Sequence, residues 1–310
     1  MNQTRTHNEQ ASDTLERAKQ TTWSEATKTV SKFTSEPLFI NQLNSMGLTV
    51  ADRALPEYSL ALSDYAKDYC DAYGQDGIVD KKLADQIMLV ASSPYFLHVQ
   101  KVFSWLDKKR EHGRLPDNEW ETYKNLKPHM AWYNQMLSDF AYNNPDEKLS
   151  DLNRALVEQS ILSFPKDVDS VESSIKQITR GARTEAASRK LLDLMDIEYA
   201  PGSVEDDIRG GDIILPVGRS RVKVDVKSSL DPIAKIRGGY EQIENNNTMY
   251  AILKNKQDKH KSDHVIAIFP GFTDDDFQDS LSLKLSPDNI VAHAQNFAIQ
   301  LQRAIHELNL

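Results

Sequence analysis

Two aspartates and two lysines in the second half of this 310-residue chain have the types and spacing needed for cation and phosphate chemistry. Residues 221–227 read Arg-Val-Lys-Val-Asp-Val-Lys, and strand alternation would place the valines on one face and Lys223, Asp225 and Lys227 on the other. The preceding strand-like segment ends only three residues earlier, so an antiparallel hairpin is predicted. In such a hairpin Asp212, at the start of the first strand, lies beside Asp225.

A third carboxylate is predicted to come from the helix before the hairpin. Glu185 shares a helical face with Ala182 and Leu192, so its side chain would be pressed against the sheet, which is costly unless it is paired or bound to a cation. Three oxygen ligands from separate elements suit Mg²⁺ or Mn²⁺. A lysine two residues beyond a metal-binding aspartate can position or deprotonate a water, or neutralise charge developing on a phosphate. The predicted chemistry is metal-assisted phosphodiester hydrolysis.

The third carboxylate has alternatives, because acidic residues also occur between the helix and the hairpin. They are Glu198, Glu205, Asp206 and Asp207. The run 205–207 is also typical of a solvated loop, and that interpretation is favoured.

The first half of the chain is predicted to be helical, since apolar residues recur three and four apart from about residue 11 to 163. The predicted helices are 64–73, 81–91, 95–110, 117–142 and 148–163. Four prolines are expected to begin or end helices, and they are Pro94, Pro116, Pro145 and Pro165. Pro128 is expected to kink or divide a helix. An all-α N-terminal domain, 1–165, serving recognition or self-association, is therefore predicted.

The second half, 166–310, has a different pattern of elements. Strands are predicted at 212–217, 221–227, 249–254 and 264–269, and helices at 169–195, 232–245 and 287–308. The order predicts an α/β (α+β) domain with a mixed sheet flanked by helices.

Composition limits the classes of function. Lys and Arg number 37 against 46 Asp and Glu, giving a formal net charge of −9, which argues against coating of nucleic acid by bulk positive charge. Residues 219–261 nevertheless carry ten Lys and Arg against five Asp and Glu. The single cysteine, Cys70, excludes an internal disulfide and Cys-rich metal sites. Without an apolar run of membrane length or a signal-peptide pattern, a cytoplasmic protein that contacts no membrane is expected.

Three of these segments resemble the PD-(D/E)XK nuclease superfamily, which includes type II restriction endonucleases, Holliday-junction resolvases and Mrr-like restriction proteins. They are Gly-Ala-Arg-Thr-Glu at 181–185, Gly-Gly-Asp at 210–212 and Asp-Val-Lys at 225–227. The resemblance covers roughly 169–269. It implies a restriction-endonuclease-like core, built from a helix, three strands, a helix and a further strand, in the order predicted above.

The resemblance also implies roles for individual residues. Asp212 and Asp225 would hold Mg²⁺ or Mn²⁺, Glu185 would complete the site, the main-chain carbonyl of Val226 would be a further ligand, and Lys227 would serve the nucleophile.

Three further positions bear on this resemblance. Gln242 matches a position where some branches of the superfamily carry a glutamine that lines the site. Gly211 stands where the name-giving motif has proline, and Asp225 stands where glutamate is also common.

The expected activity is that of a nuclease domain, 166–310, acting as a DNA endonuclease of restriction, defence or mobile-element type, and a homodimer is favoured. RNA remains an alternative substrate. A junction resolvase or repair nuclease, or a non-catalytic binding module on the same core, remains an alternative function. The basic residues predicted to bind nucleic acid are Arg183, Arg189, Arg219, Arg221, Lys223, Lys235 and Arg237.

Overall fold

The computed structural model describes residues 22–208, 210–237, 248–253, 263–281, 283 and 285–310. The chain forms two compact units, a first unit of Met1–Trp105 and Glu147–Lys176 and a second unit of Leu106–Asp146 and Gln177–Leu310. The predicted division between residues 165 and 166 therefore differs from the spatial grouping, because 106–146 belong to the second unit. The roles predicted for the two domains stay predictions.

Each predicted helix has a counterpart among the described residues, but 81–91 and 95–110 form one helix, and three described helices have no predicted counterpart: 22–33, Pro37–Ser45 and Val204–Ile208. The described helices are α1 (22–33), α2 (Pro37–Ser45), α3 (Pro56–Gln75), α4 (Lys81–His112), α5 (Asp117–Asn143), α6 (Leu149–Ile161), α7 (Val168–Leu194), α8 (Val204–Ile208), α9 (Asp231–Arg237) and α10 (Pro287–Glu307), with short 3₁₀ turns at Val50–Asp52 and Asp274–Asp276. Among the described residues, none of these helices has the length and apolar character required to cross a lipid bilayer.

The prediction that Pro94 ends a helix is wrong, because Pro94 lies inside α4. Pro128 lies inside α5 and does not divide it, so of the two predicted effects only a kink stays a prediction. An interior proline costs about 3 kcal/mol. The helices continue because buried side chains flank each proline, such as Val90 and Phe96 in α4, and their burial offsets that cost. Pro116, by contrast, immediately precedes α5 as predicted.

The first unit has a core of aromatic rings and paired polar side chains. Phe33 packs against Tyr65 with ring centroids 5.0 Å apart. The hydroxyls of Ser63 and Ser92, buried between α3 and α4, lie 2.8 Å apart. These two buried hydroxyls thus satisfy each other across neighbouring helices.

The second unit is built on a mixed five-stranded sheet of order β1-β2-β3-β5-β4 within the described residues. The strands are β1 (Ala200–Pro201), β2 (Ile213–Val217), β3 (Ser220–Val226), β4 (Tyr250–Leu253) and β5 (Asp263–Ile268). Strand β3 is antiparallel to β2 and parallel to β5, while β4 is antiparallel to β5. The predicted α/β class with a mixed sheet is confirmed.

The predicted hairpin is also confirmed, with a tight turn between β2 and β3. Val217 pairs with Ser220 and Ile213 pairs with Val224. Gly218 in the turn has a φ of +59°, which glycine adopts without steric cost. This register brings the start of β2 to the end of β3, where the candidate site lies.

Helices cover both faces of the sheet. Val222 and Val224 of β3 share a core with residues of α7 and α10, including Leu191 and Phe297. On the other face, Ile233 of α9 packs in a smaller cluster with β4. The predicted helix 232–245 is described only as far as residue 237.

Candidate functional site

The end of the hairpin fixes Asp212. Its backbone N–H donates to the Val224 carbonyl over 3.0 Å, which extends the ladder by one residue. Its carboxylate Oδ2 accepts a hydrogen bond from the Val226 N–H at 2.6 Å. Val226 thus contacts the site through its backbone N–H, while the role of its carbonyl as a metal ligand stays a prediction. The carboxylate of Asp212 is held at one position beside the last residues of β3.

Asp225 and Lys227 form an ion pair at the same sheet end. The Lys227 Nζ lies 2.6 Å from Asp225 Oδ1. The Lys227 N–H donates to the Ile268 carbonyl of β5 over 2.7 Å, so the backbone that carries this lysine is part of the sheet. Burial alone would lower the pKa of Lys227, but Asp225, Asp212 and Asp207 together raise it, so the ammonium stays charged.

Glu185 of α7 completes the predicted set. Burial raises the pKa of Glu185 to about 8, an effect opposed by Ser138 and Arg189 and reinforced by Asp207 and Asp139. The structure therefore brings Glu185, Asp212, Asp225 and Lys227 into one electrostatically linked group, because the pKa of Asp212 responds to all of them.

The group also includes Asp207 of α8, and all four of its carboxyl groups have raised pKa values. Burial, followed by the charges of Asp225, Glu185 and Asp207, raises the pKa of Asp212 well above its usual range. Burial also raises the pKa of Asp225, although Lys227 opposes that shift. Carboxyl groups outnumber the lysine, and Glu185, with a pKa of about 8, is largely protonated at neutral pH, so a cation that replaced the protons would stabilise the ionised carboxylates.

Asp207 was one of the alternatives to Glu185 in the sequence analysis, although the solvated-loop interpretation of its segment was favoured. The run 205–207 was favoured as a solvated loop, whereas the structure forms the short helix α8 there. Burial and the charge of Asp225 raise the pKa of Asp207 to about 6. A signal was available: Ser203 precedes Asp206 by three residues, the spacing of a helix capping box.

Two glycines permit close backbone approach beside the site. A Cβ on Gly202 would lie 1.9 Å from the Gly211 carbonyl oxygen, so no other residue fits there without a backbone shift. A Cβ on Gly211 would lie 3.1 Å from Cβ of Lys223, whose aliphatic stem crosses that position. This contact explains why a glycine, and not a larger residue, precedes Asp212.

Helix α5 borders the Glu185 side of the group. Ser138 is fully buried next to Glu185, and Asp139 pairs with Arg189 at 2.7 Å. Gln135 donates from Nε2 to the Gly202 carbonyl over 3.0 Å. Residues 106–146 thus belong with the site structurally, which the predicted domain division did not anticipate.

Three of the residues predicted to bind nucleic acid are buried. Arg183 is 4% exposed, lies 2.7 Å from Asp274 and stacks on the Phe277 ring. Arg189 and Lys223 are 5% and 1% exposed. In this structure their charged groups serve internal ion pairs and do not face solvent, which differs from the predicted phosphate-binding role.

The other residues predicted to bind nucleic acid lie nearer the surface. Arg219 is exposed, and the side chains of Arg221 and Lys235 are 57% and 79% exposed. Arg237 donates from Nε to the Tyr250 carbonyl over 2.6 Å, and its guanidinium is 3.0 Å from Glu307. Gln242 lies outside the described residues.

The donor set fits a hard divalent cation in chemistry, since carboxylate oxygens are the ligands that Mg²⁺ and Mn²⁺ prefer. Among the described residues, however, no three His, Cys, Asp or Glu side chains converge closely enough to hold an ion as they stand. Asp225 is engaged by Lys227 and Asp212 by the Val226 amide. Binding would therefore require the carboxylates to draw together.

Comparison with known proteins adds no relative to this description. The chain matches no family model, no curated protein and no solved structure. Function is therefore inferred from the residues of the site.

Proposed function

We propose that this protein is a nuclease that requires Mg²⁺ or Mn²⁺, acting as a DNA endonuclease of restriction, defence or mobile-element type. One observation carries the proposal: carboxylates from α7, α8, β3 and the residue before β2 share one partly buried location with a lysine. Buried carboxylates are normally paired. An excess of them around one lysine is the arrangement expected where a cation is to be bound.

The elements that supply the residues support the family resemblance. The long helix α7 is followed by the three strands β1, β2 and β3 and, after them, by the helix α9. The strand parallel to β3 is β5, which comes after β4. The first part of this order agrees with the core that the resemblance implies, while β4 is an additional strand before the parallel one. The position of Asp225 and Lys227 at the end of β3 agrees with the roles that the resemblance implies.

Each residue then has a distinct task in the proposed chemistry. A divalent cation, when bound, would supply a Lewis acid that polarises a phosphate oxygen and acidifies a water. Asp212 and Asp225 would hold the cation, and Glu185 would complete the site. Lys227 remains protonated beside Asp225, so it is suited to orient the attacking water or to neutralise charge on the phosphate.

DNA is the proposed substrate. Arg219, Arg221 and Lys235 carry the exposed cationic groups, of the predicted set, that a phosphate backbone could contact. Pairing of two copies, as a cut in both strands of a symmetric site requires, is proposed with it.

The test is cleavage of supercoiled plasmid DNA with Mg²⁺, with Mn²⁺ and with EDTA. Wild type should cut only with a divalent cation, and Asp212→Ala, Asp225→Ala and Lys227→Ala should not cut. Asp288→Ala, which alters an exposed aspartate of α10, serves as the control and should cut like wild type.

The outcome that contradicts the proposal is cutting in EDTA, no cutting by wild type, or full activity in all three site variants. A four-way junction added as a second substrate separates the alternatives, since preferential cleavage of it would assign the protein to junction resolution.

A further inference from the structure

We infer that a small cavity in the first unit, walled by Arg53, Tyr58 and Gln159, is a binding site for a phosphate group. Its lining residues are Val30, Ser31, Thr34, Arg53, Tyr58, Gln159, Leu162 and Ser163. All of them belong to the first unit, whereas the residues of the proposed cation site belong to the second. The inference therefore goes beyond the proposed nuclease function and does not depend on it.

Three separate parts of the chain form this cavity. The end of α1 and Thr34 line one side, Tyr58 lies in the first turn of α3, and Gln159 and Ser163 lie at and just after the end of α6. The volume of the cavity is about 60 Å³. That is room for a few waters or one small ion, since a water takes roughly 30 Å³ in the liquid.

The charge inside the cavity has one sign. Among the described residues that line it, Arg53 carries the only full charge, and none of the side chains is a carboxylate. The carboxylate of the adjacent Asp52 accepts hydrogen bonds from the Thr49 N–H at 2.7 Å and the Thr49 hydroxyl at 3.0 Å. An arginine in such a setting favours an anion, and its planar fork of donors matches the oxygens of a phosphate.

The Tyr58 hydroxyl is an observation independent of that charge. Tyr58 is 2% exposed, and its hydroxyl finds no acceptor in the described part of the chain. Burial raises the pKa of Tyr58, while the charge of Arg53 and a hydrogen bond from it oppose the shift, so the phenol keeps its proton at neutral pH. Arginine has donors only. Two donors thus line the same cavity, and an anion between them would supply the acceptor that a buried hydroxyl needs.

Other polar groups complete the lining. Gln159 and Ser163 are buried, and their amide and hydroxyl can donate to an oxyanion. The hydroxyls of Ser31 and Thr34 donate to carbonyls of their own segment, at 2.9 Å each. The donors open to a ligand are therefore those of the other four polar residues, which suits a phosphate group with its several oxygens and its negative charge.

The experiment is isothermal titration calorimetry of the full chain with inorganic phosphate, in EDTA so that no divalent cation recruits phosphate elsewhere. Arg53→Met should weaken binding at least about tenfold, because it removes the charge and the forked donor. Tyr58→Phe should weaken binding about threefold to tenfold, because it removes one hydrogen bond and keeps the ring. The matched controls are Arg154→Met, in α6, and Tyr73→Phe, in α3. Both alter exposed side chains outside the cavity and should bind like wild type.

Thermal unfolding separates a ligand site from a structural cluster. In chloride buffer, Tyr58→Phe should unfold close to the wild-type temperature, because the lost hydroxyl has no acceptor. In phosphate at the same ionic strength, wild type should gain stability and Tyr58→Phe should gain less. Circular dichroism checks that each variant is folded, and Tyr58→Phe decides the inference if Arg53→Met does not fold.

A second ligand distinguishes the sources of the phosphate group. Binding of thymidine 5′-monophosphate but not of thymidine would assign a phosphate carried on a nucleotide, and binding of inorganic phosphate alone would assign the free ion. Both results support the inference. No phosphate binding by wild type, or wild-type affinity in both Arg53→Met and Tyr58→Phe, would overturn it and leave a cavity that holds only water. Neither outcome bears on plasmid cleavage, so this inference and the proposed function fail separately.

Discussion

Both units of the molecule contain buried carboxylates, but the groups around these carboxylates differ between the units. In the first unit, Glu147 is 2% exposed and accepts a hydrogen bond from Trp23 Nε1 at 2.7 Å, while Lys82 Nζ lies 2.5 Å from its other oxygen. Each carboxylate oxygen therefore faces a donor or a cation. This arrangement satisfies the requirement that a buried charge be paired and hydrogen-bonded.

In the second unit, the carboxylates outnumber the cations around them. Burial raises the pKa of Asp207, Asp212 and Asp225, and repulsion by neighbouring carboxylates adds to the shift for Asp207 and Asp212, while Lys227 opposes it for all three. A charge that is balanced within the fold stabilises it, whereas the proposed cation site would account for an imbalance that costs stability. Because the two units differ in this way, replacing one carboxylate by its amide should have opposite effects on stability and on cleavage in the two units.

The largest effect is expected for Asp212→Asn. The amide oxygen can still accept the Val226 N–H, so the fold should survive, but DNA cleavage should fall on the order of 10³-fold. The metal-free variant should be at least as stable as wild type at pH 8, since one repelling charge is removed. Plasmid cleavage and urea unfolding check the two parts. Retained cleavage, or clear destabilisation, would count against a functional role of the imbalance.

Glu147→Gln should have the opposite pattern of effects, with lower stability and nearly unchanged DNA cleavage. Removing the charge leaves Lys82 without its buried partner, so the free energy of unfolding should fall by about 2–3 kcal/mol. Cleavage measured well below the unfolding temperature should stay close to wild type. Urea unfolding measures the first quantity. An unchanged midpoint would mean that the balanced pair contributes little, and the contrast between the units would weaken.

The stability of the metal-free protein should fall as pH rises from about 6.5 to 8. Acids whose pKa is raised by folding bind protons in the native state that the unfolded state has released, so stability is lost as pH rises. Glu185, with a pKa of about 8, keeps its proton through much of this window, and the raised pKa of Asp212 acts in the same direction. Burial lowers the pKa of His98 in the first unit from 6.5 to about 4, so its opposing contribution acts mainly below pH 6.5 and fades above it.

Urea unfolding at intervals between pH 6.5 and 8, in EDTA, checks this trend. Asp212→Asn should show a shallower decline, and saturating Mg²⁺ should flatten the wild-type profile. A stability that rises with pH over this range would contradict the pKa directions.

The smallest effect is expected for Lys81→Met. Lys81 lies in the same helix as Lys82, the ion-pair partner of Glu147. Lys81 precedes Lys82 in α4 and pairs with Asp85 at 2.7 Å, but its side chain is 80% exposed. An exposed pair of this kind contributes about 0.5 kcal/mol or less. Lys82→Met should therefore cost more than Lys81→Met in urea unfolding. Equal costs would show that burial of the partner does not decide the energy.

Sequence periodicity predicted the hairpin and the long helices because apolar spacing and a short turn are local signals. Glu185, Asp212, Asp225 and Lys227 could be grouped in advance, since an antiparallel register dictates which ends meet. The helix boundary expected at Pro94 was wrong because packing along α4 outweighs one lost hydrogen bond.

Tertiary contacts explain what the sequence did not predict. Lys223 alternates correctly with its neighbours in β3, yet α8 covers its face and Asp206 pairs with it, so the expected surface lysine is internal. Arg183 and Arg189 are likewise internal because Asp274 and Asp139 come from distant parts of the chain.

The most direct test is the change in unfolding temperature on adding Mn²⁺ to metal-free wild type, Glu147→Gln and Asp212→Asn. A ligand that binds only the native state raises that temperature. Wild type and Glu147→Gln should be stabilised to a similar extent, because the site in the second unit is intact in both, while Asp212→Asn should show little or no shift. Equal stabilisation of all three proteins, or of none, would contradict a cation site at the unbalanced carboxylates.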